Sequence, residues 1–154
     1  MPHTIQKIMS RHPHSVFVAD PLTGAYQKMR TLKVRHLPVV DGQGRIVGIL
    51  SDRDFQRVMQ RERLSDTEEN YHFDVRDTVE NVMSWPVKMI ACSLSIKEAA
   101  RLMLTEKLSA LVVTSDELRP VGIVTTDDFL RYISERPPED FERTLSSGVL
   151  WSHP

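Results

Sequence analysis

The sequence predicts a mixed α+β (α/β) fold built from one small unit used twice, each unit a three-stranded sheet with two helices. Three observations carry that expectation: a gapless internal repeat, the same order of strand-like and helix-like apolar patterns in both copies, and turn signals at matching places. Shifted by 74 residues, the chain falls on itself, with Met9-Ser10 on Met83-Ser84, Ala25 on Ala99, Met29 on Met103 and Lys33 on Lys107. The frame continues through Leu37 on Leu111, Val39 on Val113, Val47-Gly48-Ile49 on Val121-Gly122-Ile123, Asp54-Phe55 on Asp128-Phe129 and Arg57 on Arg131. One frame held over about 55 positions marks a duplication.

Each copy reads in the same order. A short amphipathic turn opens it, at Ile5 to Met9 and at Val79 to Met83. A brief strand follows around Val16 and around Ile90. The first long helix of copy one has its apolar stripe at Leu22, Ala25, Tyr26, Met29 and Leu32, the 3.6-residue spacing of one buried face. Asp20-Pro21 is its expected start, as a cap and a first-position proline. Ile96, Ala99, Ala100 and Met103 repeat the stripe, and Ser95 with Glu98 has capping-box spacing. Two apolar strands come next, Leu37 to Val40 and Ile46 to Leu50, around the hairpin signal Asp41-Gly42-Gln43-Gly44. Leu111 to Val113 and Val121 to Val124 flank Ser115 to Leu118 in the same way. A second helix starts at Asp52 and at Thr126. The expected division is residues 5–60 for repeat one, 61–78 for a charged, solvated linker, 79–136 for repeat two and 137–154 for a tail. In the tail, Glu139 to Leu145 reads as a short helix, and Val149, Leu150 and Trp151 form an apolar patch.

Composition narrows the function. Twenty basic residues against 21 acidic leave a net charge of −1, so no general attraction to nucleic acid is expected. No apolar run reaches the length of a membrane span, and Met1 to Arg11 lacks the apolar stretch of a signal peptide. The expected location is the cytoplasm, with no membrane partner. Cys92 is the single cysteine, which rules out an internal disulfide and suits a small buried hydrophobe. His12 and His14 could share one side of a strand, but no spaced carboxylate or cysteine accompanies them, and no metal is expected. No activated nucleophile, glycine-rich phosphate loop or pair of catalytic carboxylates stands out, so the chain does not read as an enzyme.

The segments Arg35-His36-Leu37-Pro38-Val39-Val40-Asp41, Gly48-Ile49-Leu50-Ser51-Asp52-Arg53-Asp54 and Gly122-Ile123-Val124-Thr125-Thr126-Asp127-Asp128 resemble the CBS domain family. The resemblance runs from about Ile5 to Ile133, and stand-alone pairs of the acetoin-utilization type carry a similar first repeat. It implies a pseudo-twofold pair of repeats (a Bateman module) with two clefts between them, and a homodimer of such chains. It also implies sensing of AMP, ADP, ATP or an S-adenosyl compound, with no cofactor required, on behalf of a regulated protein that the residues do not identify. Some members bind no nucleotide and act as assembly scaffolds, which is the alternative reading.

The same resemblance nominates site residues. Asp54 and Asp128 would accept hydrogen bonds from ribose hydroxyls, since a carboxylate offers two acceptor oxygens and no donor. Equally, Ser51 with Asp54 and Thr125 with Asp128 have the spacing of a helix capping box, and both roles can coexist. An adenine would be framed by His14, Ser15, Val16, Val34 and Arg35, or by Lys88, Met89, Ile90, Leu108 and Ser109; the apolar members fit ordinary core as well. Phosphate would meet Lys33, Arg35, His36 and Arg53, whose counterparts are Lys107, Ser109, Ala110 and Asp127. On that charge count the cleft holding Asp54 is the expected phosphate site, unless a cleft borrows its cations from the opposite repeat.

Overall fold

A computed structural model describes residues 3–63 and 69–135, with side chains described outside 61–71. After a 3-10 turn at Ile5–Lys7, the chain forms β1 (Ser10–Arg11), β2 (Val16–Phe17), α1 (Leu22–Leu32), β3 (His36–Val40), β4 (Ile46–Ser51) and α2 (Asp52–Val58). The second repeat supplies α3 (Val79–Val82), β7 (Met89–Ile90), α4 (Ile96–Glu106), β8 (Ala110–Thr114), β9 (Pro120–Thr125) and α5 (Thr126–Ser134). Between the repeats lie β5 (Gln60–Arg63) and β6 (Glu69–His72). The expected order of strand, helix, strand, strand, helix therefore holds in both copies. So does the irregularity: the β3/β4 register shifts between Val39 and Val40, and β8/β9 shifts at the equivalent Val113 and Thr114.

The helices end as well as begin alike. Lys33 and Lys107 follow α1 and α4 with φ of 53° and 54°, and each amide turns back onto the last turn. A left-handed residue is the usual way to stop a helix and free the chain for a strand. One start differs from expectation. Pro21, not Asp20, is the N-cap of α1, and the Asp20 carboxylate instead accepts the Phe17 amide at 2.8 Å. Asp20 thus caps the turn before the helix, and Pro21 is bridged to Thr78.

The repeats exchange their opening segments. Val79 and Glu80 donate their amides to the carbonyls of Asp20 and Val18, at 3.0 Å each. Ile5 and Gln6 do the same to Leu94 and Cys92, at 2.9 and 3.1 Å. Leu22 donates to Asp77 and Ile96 donates to His3 in matching fashion. Each of these opening-segment contacts of the first copy on the second has its reciprocal, which is the signature of a twofold relation. In consequence Ile5 is buried in the core of repeat two, with Ile90, Ile96, Ala99, Met103, Leu111, Val113 and Val124. Val79 and Val82 are buried in the core of repeat one, with Val16, Leu22, Ala25, Met29, Leu37, Val39, Leu50 and Phe55. The sequence repeat is thus not the packing unit, because a short amphipathic turn cannot bury its apolar face against its own copy.

Two features depart from the simple unit. The second sheet is four-stranded, in the order β1-β9-β8-β7, because Ser10 and Arg11 pair with Ile123 and Gly122. The equivalent contact in repeat one is the single bridge Ile49–Ser84, so β2-β3-β4 keeps three strands. The expected solvated linker is partly ordered: β5 and β6 pair as an antiparallel ribbon, and Phe73 is buried in the first core. The absence of apolar periodicity hid this, because one aromatic anchor suffices to dock the segment. The expected helix at Glu139 to Leu145 and the patch at Val149 to Trp151 lie outside the described residues.

Candidate functional site

An open cleft of 320 Å³ lies between the repeats, within the roughly 300–1,000 Å³ range of small-ligand sites. Repeat one supplies Ser10 to His14 and Lys33 to Leu37, and repeat two supplies Ile123, Thr125, Asp127, Asp128 and Arg131. The topology explains the convergence. Pairing of β1 with β9 carries the Ser10–His14 stretch to the other repeat, and the left-handed end of α1 turns Val34, Arg35 and His36 toward the same place.

The two motif carboxylates are both buried. Asp128 Oδ2 accepts the Thr125 amide at 2.8 Å and the Thr125 hydroxyl at 3.0 Å, and Oδ1 meets Arg131 Nη1 at 3.3 Å. Asp54 Oδ2 accepts the Ser51 amide and hydroxyl at 2.8 and 2.9 Å, and Oδ1 is paired with Arg57. The capping role is therefore present in both repeats. Oδ1 takes no part in the cap, and its arginine partner is about two-thirds exposed. The arginines at three residues beyond each Asp were visible in the repeat frame as Arg57 on Arg131, but had no assigned role.

The cations stand elsewhere than expected. Lys33, Arg35 and His36 line the cleft that holds Asp128, and Asp54 is not part of that lining. Arg35 Nη2 donates to Asp127 Oδ2 at 2.8 Å, and His36 Nε2 lies 3.0 Å from Ser109 Oγ. The same residues also border their own repeat: Lys33 and Arg35 lie beside Asp52 and Phe55, and His36 feels the charges of Asp52 and Asp54. Arg53, the sequence equivalent of Asp127, is not part of that lining. By the same equivalence Lys107 and Ser109 are counterparts of Lys33 and Arg35 for a cleft around Asp54. His36 sits between charges: burial lowers its pKa below the usual value, opposed by Asp52 and Asp54 and reinforced by Arg35 and Arg53.

Among the adenine candidates, His14, Val34 and Arg35 line the cleft. Val16 and Ile90 are buried core residues, and Leu108 packs against the second core. The Ser15 carbonyl accepts a hydrogen bond from Lys28 Nζ at 2.7 Å, and Met89 is 37% exposed. Sequence reasoning missed Ser10, Arg11 and Pro13 as lining residues and read His12 only as a weak metal candidate. Their signal was their place next to Met9-Ser10, inside the repeated frame. His12 adopts φ 52°, which turns the chain at the cleft mouth. Among the described residues, no group of three or more His, Cys, Asp or Glu is placed to hold a metal.

The family model for the CBS domain matches residues 5–61 and again 79–135. The chain belongs to the CBS domain family. Arabinose 5-phosphate isomerase KdsD of Pseudomonas aeruginosa is 32% identical over 117 residues, which cover 75% of this chain and 33% of the isomerase. The chain therefore spans about a third of that relative. Among solved structures, a protein assigned to acetoin utilization (AcuB) from Vibrio cholerae is 28% identical with a TM-score of 0.70, over 87% of this chain and 92% of that one. The CBS domain pair of protein MJ0100, in complex with 5′-methylthioadenosine and S-adenosyl-L-methionine, shares the fold at 24% identity and a TM-score of 0.72, over 87% and 98%. CBSX2 in complex with AMP does so at 21% identity and 0.70, over 87% and 99%. The tandem pair of repeats that the motifs suggested is thus the fold of this CBS chain.

Proposed function

We propose that this CBS pair is a non-catalytic sensor that binds an adenine nucleotide in the cleft between its repeats and passes that occupancy to a regulated protein. The carrying observation is the cleft itself: a capping carboxylate from one repeat faces Lys33, Arg35, His36 and Arg11 from the other. Asp128 Oδ1 suits a ribose hydroxyl and the cations suit phosphate. The complexes of MJ0100 and CBSX2 with adenosine compounds support the ligand class. A ligand spanning both repeats contacts two bodies at once, so it shifts their relative pose by its differential affinity for the two poses. We also place the protein in the cytoplasm; no described helix is long and apolar enough to cross a membrane.

A titration followed by thermal unfolding tests the reading, with AMP, ADP, ATP, S-adenosylmethionine and GTP in parallel. At a hundredfold over its Kd, an adenine ligand adds about 2.7 kcal/mol of stability, and GTP adds little. No shift with any adenine compound, with the fold intact, defeats it.

One set of observations favours the scaffold alternative. Both motif carboxylates are already engaged as caps, and Leu104, Leu130 and Ile133 are 81, 60 and 45% exposed on α4 and α5. A symmetric dimer burying those side chains accounts for them. Light scattering should show a dimer in either case, and the thermal titration separates sensor from scaffold.

A further inference from the structure

We propose that the Arg35–Asp127 ion pair is a phosphate-sensitive latch between the repeats. A 5′-phosphate takes Arg35 from Asp127, whereas an uncharged adenosine leaves the pair closed. The inference rests on the nucleotide reading of this cleft and deepens it by assigning the residue that reads ligand charge.

The pair joins side chains 92 positions apart in sequence, one from each repeat, across the mouth of the cleft. Both side chains are more than half exposed, at 60 and 58%. An exposed pair of this kind is weak and screened by salt, so it holds only until a better anion arrives. A phosphate is such an anion, because its oxygens match the planar guanidinium fork with two parallel bonds and a higher charge. The move is cheap. The Arg35 backbone stays anchored, its carbonyl accepting the Asp52 amide at 3.0 Å, so only the side chain swings. Another side-chain contact between the repeats, His36 to Ser109, is uncharged on the serine side, so a phosphate does not displace a carboxylate there.

The latch belongs to one cleft only. The positions equivalent to Arg35 and Asp127 are Ser109 and Arg53, which cannot form an ion pair. Phosphate capture at the Asp128 cleft therefore severs a tie between the repeats that the Asp54 side does not possess. That difference couples ligand charge, and not merely ligand presence, to the pose of the two halves.

The test is calorimetric titration of the full chain with AMP and with adenosine, in an Asp54→Ala background that removes the other motif carboxylate. Arg35→Ala should lower AMP affinity by about ten- to a hundredfold and adenosine affinity by clearly less, since only AMP loses the phosphate contact. Asp127→Asn, which frees Arg35 and removes a competing charge, should raise AMP affinity by about threefold with adenosine unmoved. A double-substitution cycle adds a second readout. The Arg35–Asp127 coupling in thermal stability should persist with saturating adenosine and vanish with saturating AMP. An unchanged ratio of AMP to adenosine affinity in both variants overturns the latch and leaves the nucleotide reading standing. If neither ligand binds the parent protein, the nucleotide reading fails and the latch fails with it.

Discussion

The two repeats share a backbone and differ in what fills and faces it. Repeat one is built around aromatic rings: Tyr26 packs edge-on against both Phe55 and Phe73 at 5.2 Å, and Phe55 lies 5.7 Å from Phe73. The second core is aliphatic, and its Phe129 is only partly buried. Outside, the contrast reverses. The exposed Leu104, Leu130 and Ile133 of repeat two stand where repeat one has Arg30, Gln56 and Met59. Duplication preserved the hydrogen-bonded frame and the reciprocal exchange of opening turns, while core chemistry and surface diverged. The frame depends on backbone pairing and capping, which many side chains permit; the core needs only matched volume.

The comparison is broken most sharply at the aromatic cluster. Phe55→Ala should cost about 3–5 kcal/mol, because a fully buried ring is lost with two ring partners, whereas Phe129→Ala should cost clearly less. Denaturant midpoints of the two variants measure the difference, and equal losses would mean that the two cores are energetically alike. The glycines facing the exchanged methionines come next. An alanine at Gly122 meets both the Met9 thioether and the Ser10 carbonyl oxygen at 3.2 Å, a backbone atom fixed by the β1–β9 pairing. At Gly48 its nearest contacts are all with the Met83 side chain, which can move. Gly122→Ala should therefore cost about 1–3 kcal/mol and Gly48→Ala less, as read by thermal unfolding.

The carboxylates sharpen the comparison in function more than in stability. Asp54→Ala and Asp128→Ala each remove half of a capping box and should each cost about 1 kcal/mol. Nucleotide affinity should separate them, with AMP binding lowered by about tenfold or more in Asp128→Ala and less in Asp54→Ala. Equal losses of affinity would show that the two sides bind alike. The smallest effect lies at His36, whose counterpart is Ala110 and does not titrate. Burial holds its folded pKa below 6.5, so the unfolded chain takes up the proton first. The resulting penalty is absent above pH 6.5 and grows as pH falls through the folded value. Between pH 7 and pH 5, wild type should lose more stability than His36→Ala; parallel curves would remove His36 from the pH response.

Much of this was legible in the amino acids. The duplication, the element order, the capping boxes at Ser51, Ser95 and Thr125 and the CBS motifs all depend on local spacing, which a one-dimensional pattern preserves. What stayed hidden was partnership across the repeats. Phe73 carries no periodicity that would mark it as core, and nothing near Arg35 in sequence points to Asp127. The cleft residues Ser10, Arg11 and Pro13 lie in a loop that gains meaning only once β1 pairs with β9.

The sequence by itself determined that there are two units of one design, where α2, α4 and α5 start, and which carboxylates cap them, because caps and amphipathic stripes are set within a few residues. Only the tertiary structure decided which repeat buries Ile5 and Val79, and on which side of the cleft Lys33, Arg35 and His36 stand. Short turns must hide their apolar faces against whatever surface is offered, and the twofold packing offers the other repeat. The same exchange carries a cation from one unit to a carboxylate of the other, a distance in space that no spacing along the chain encodes.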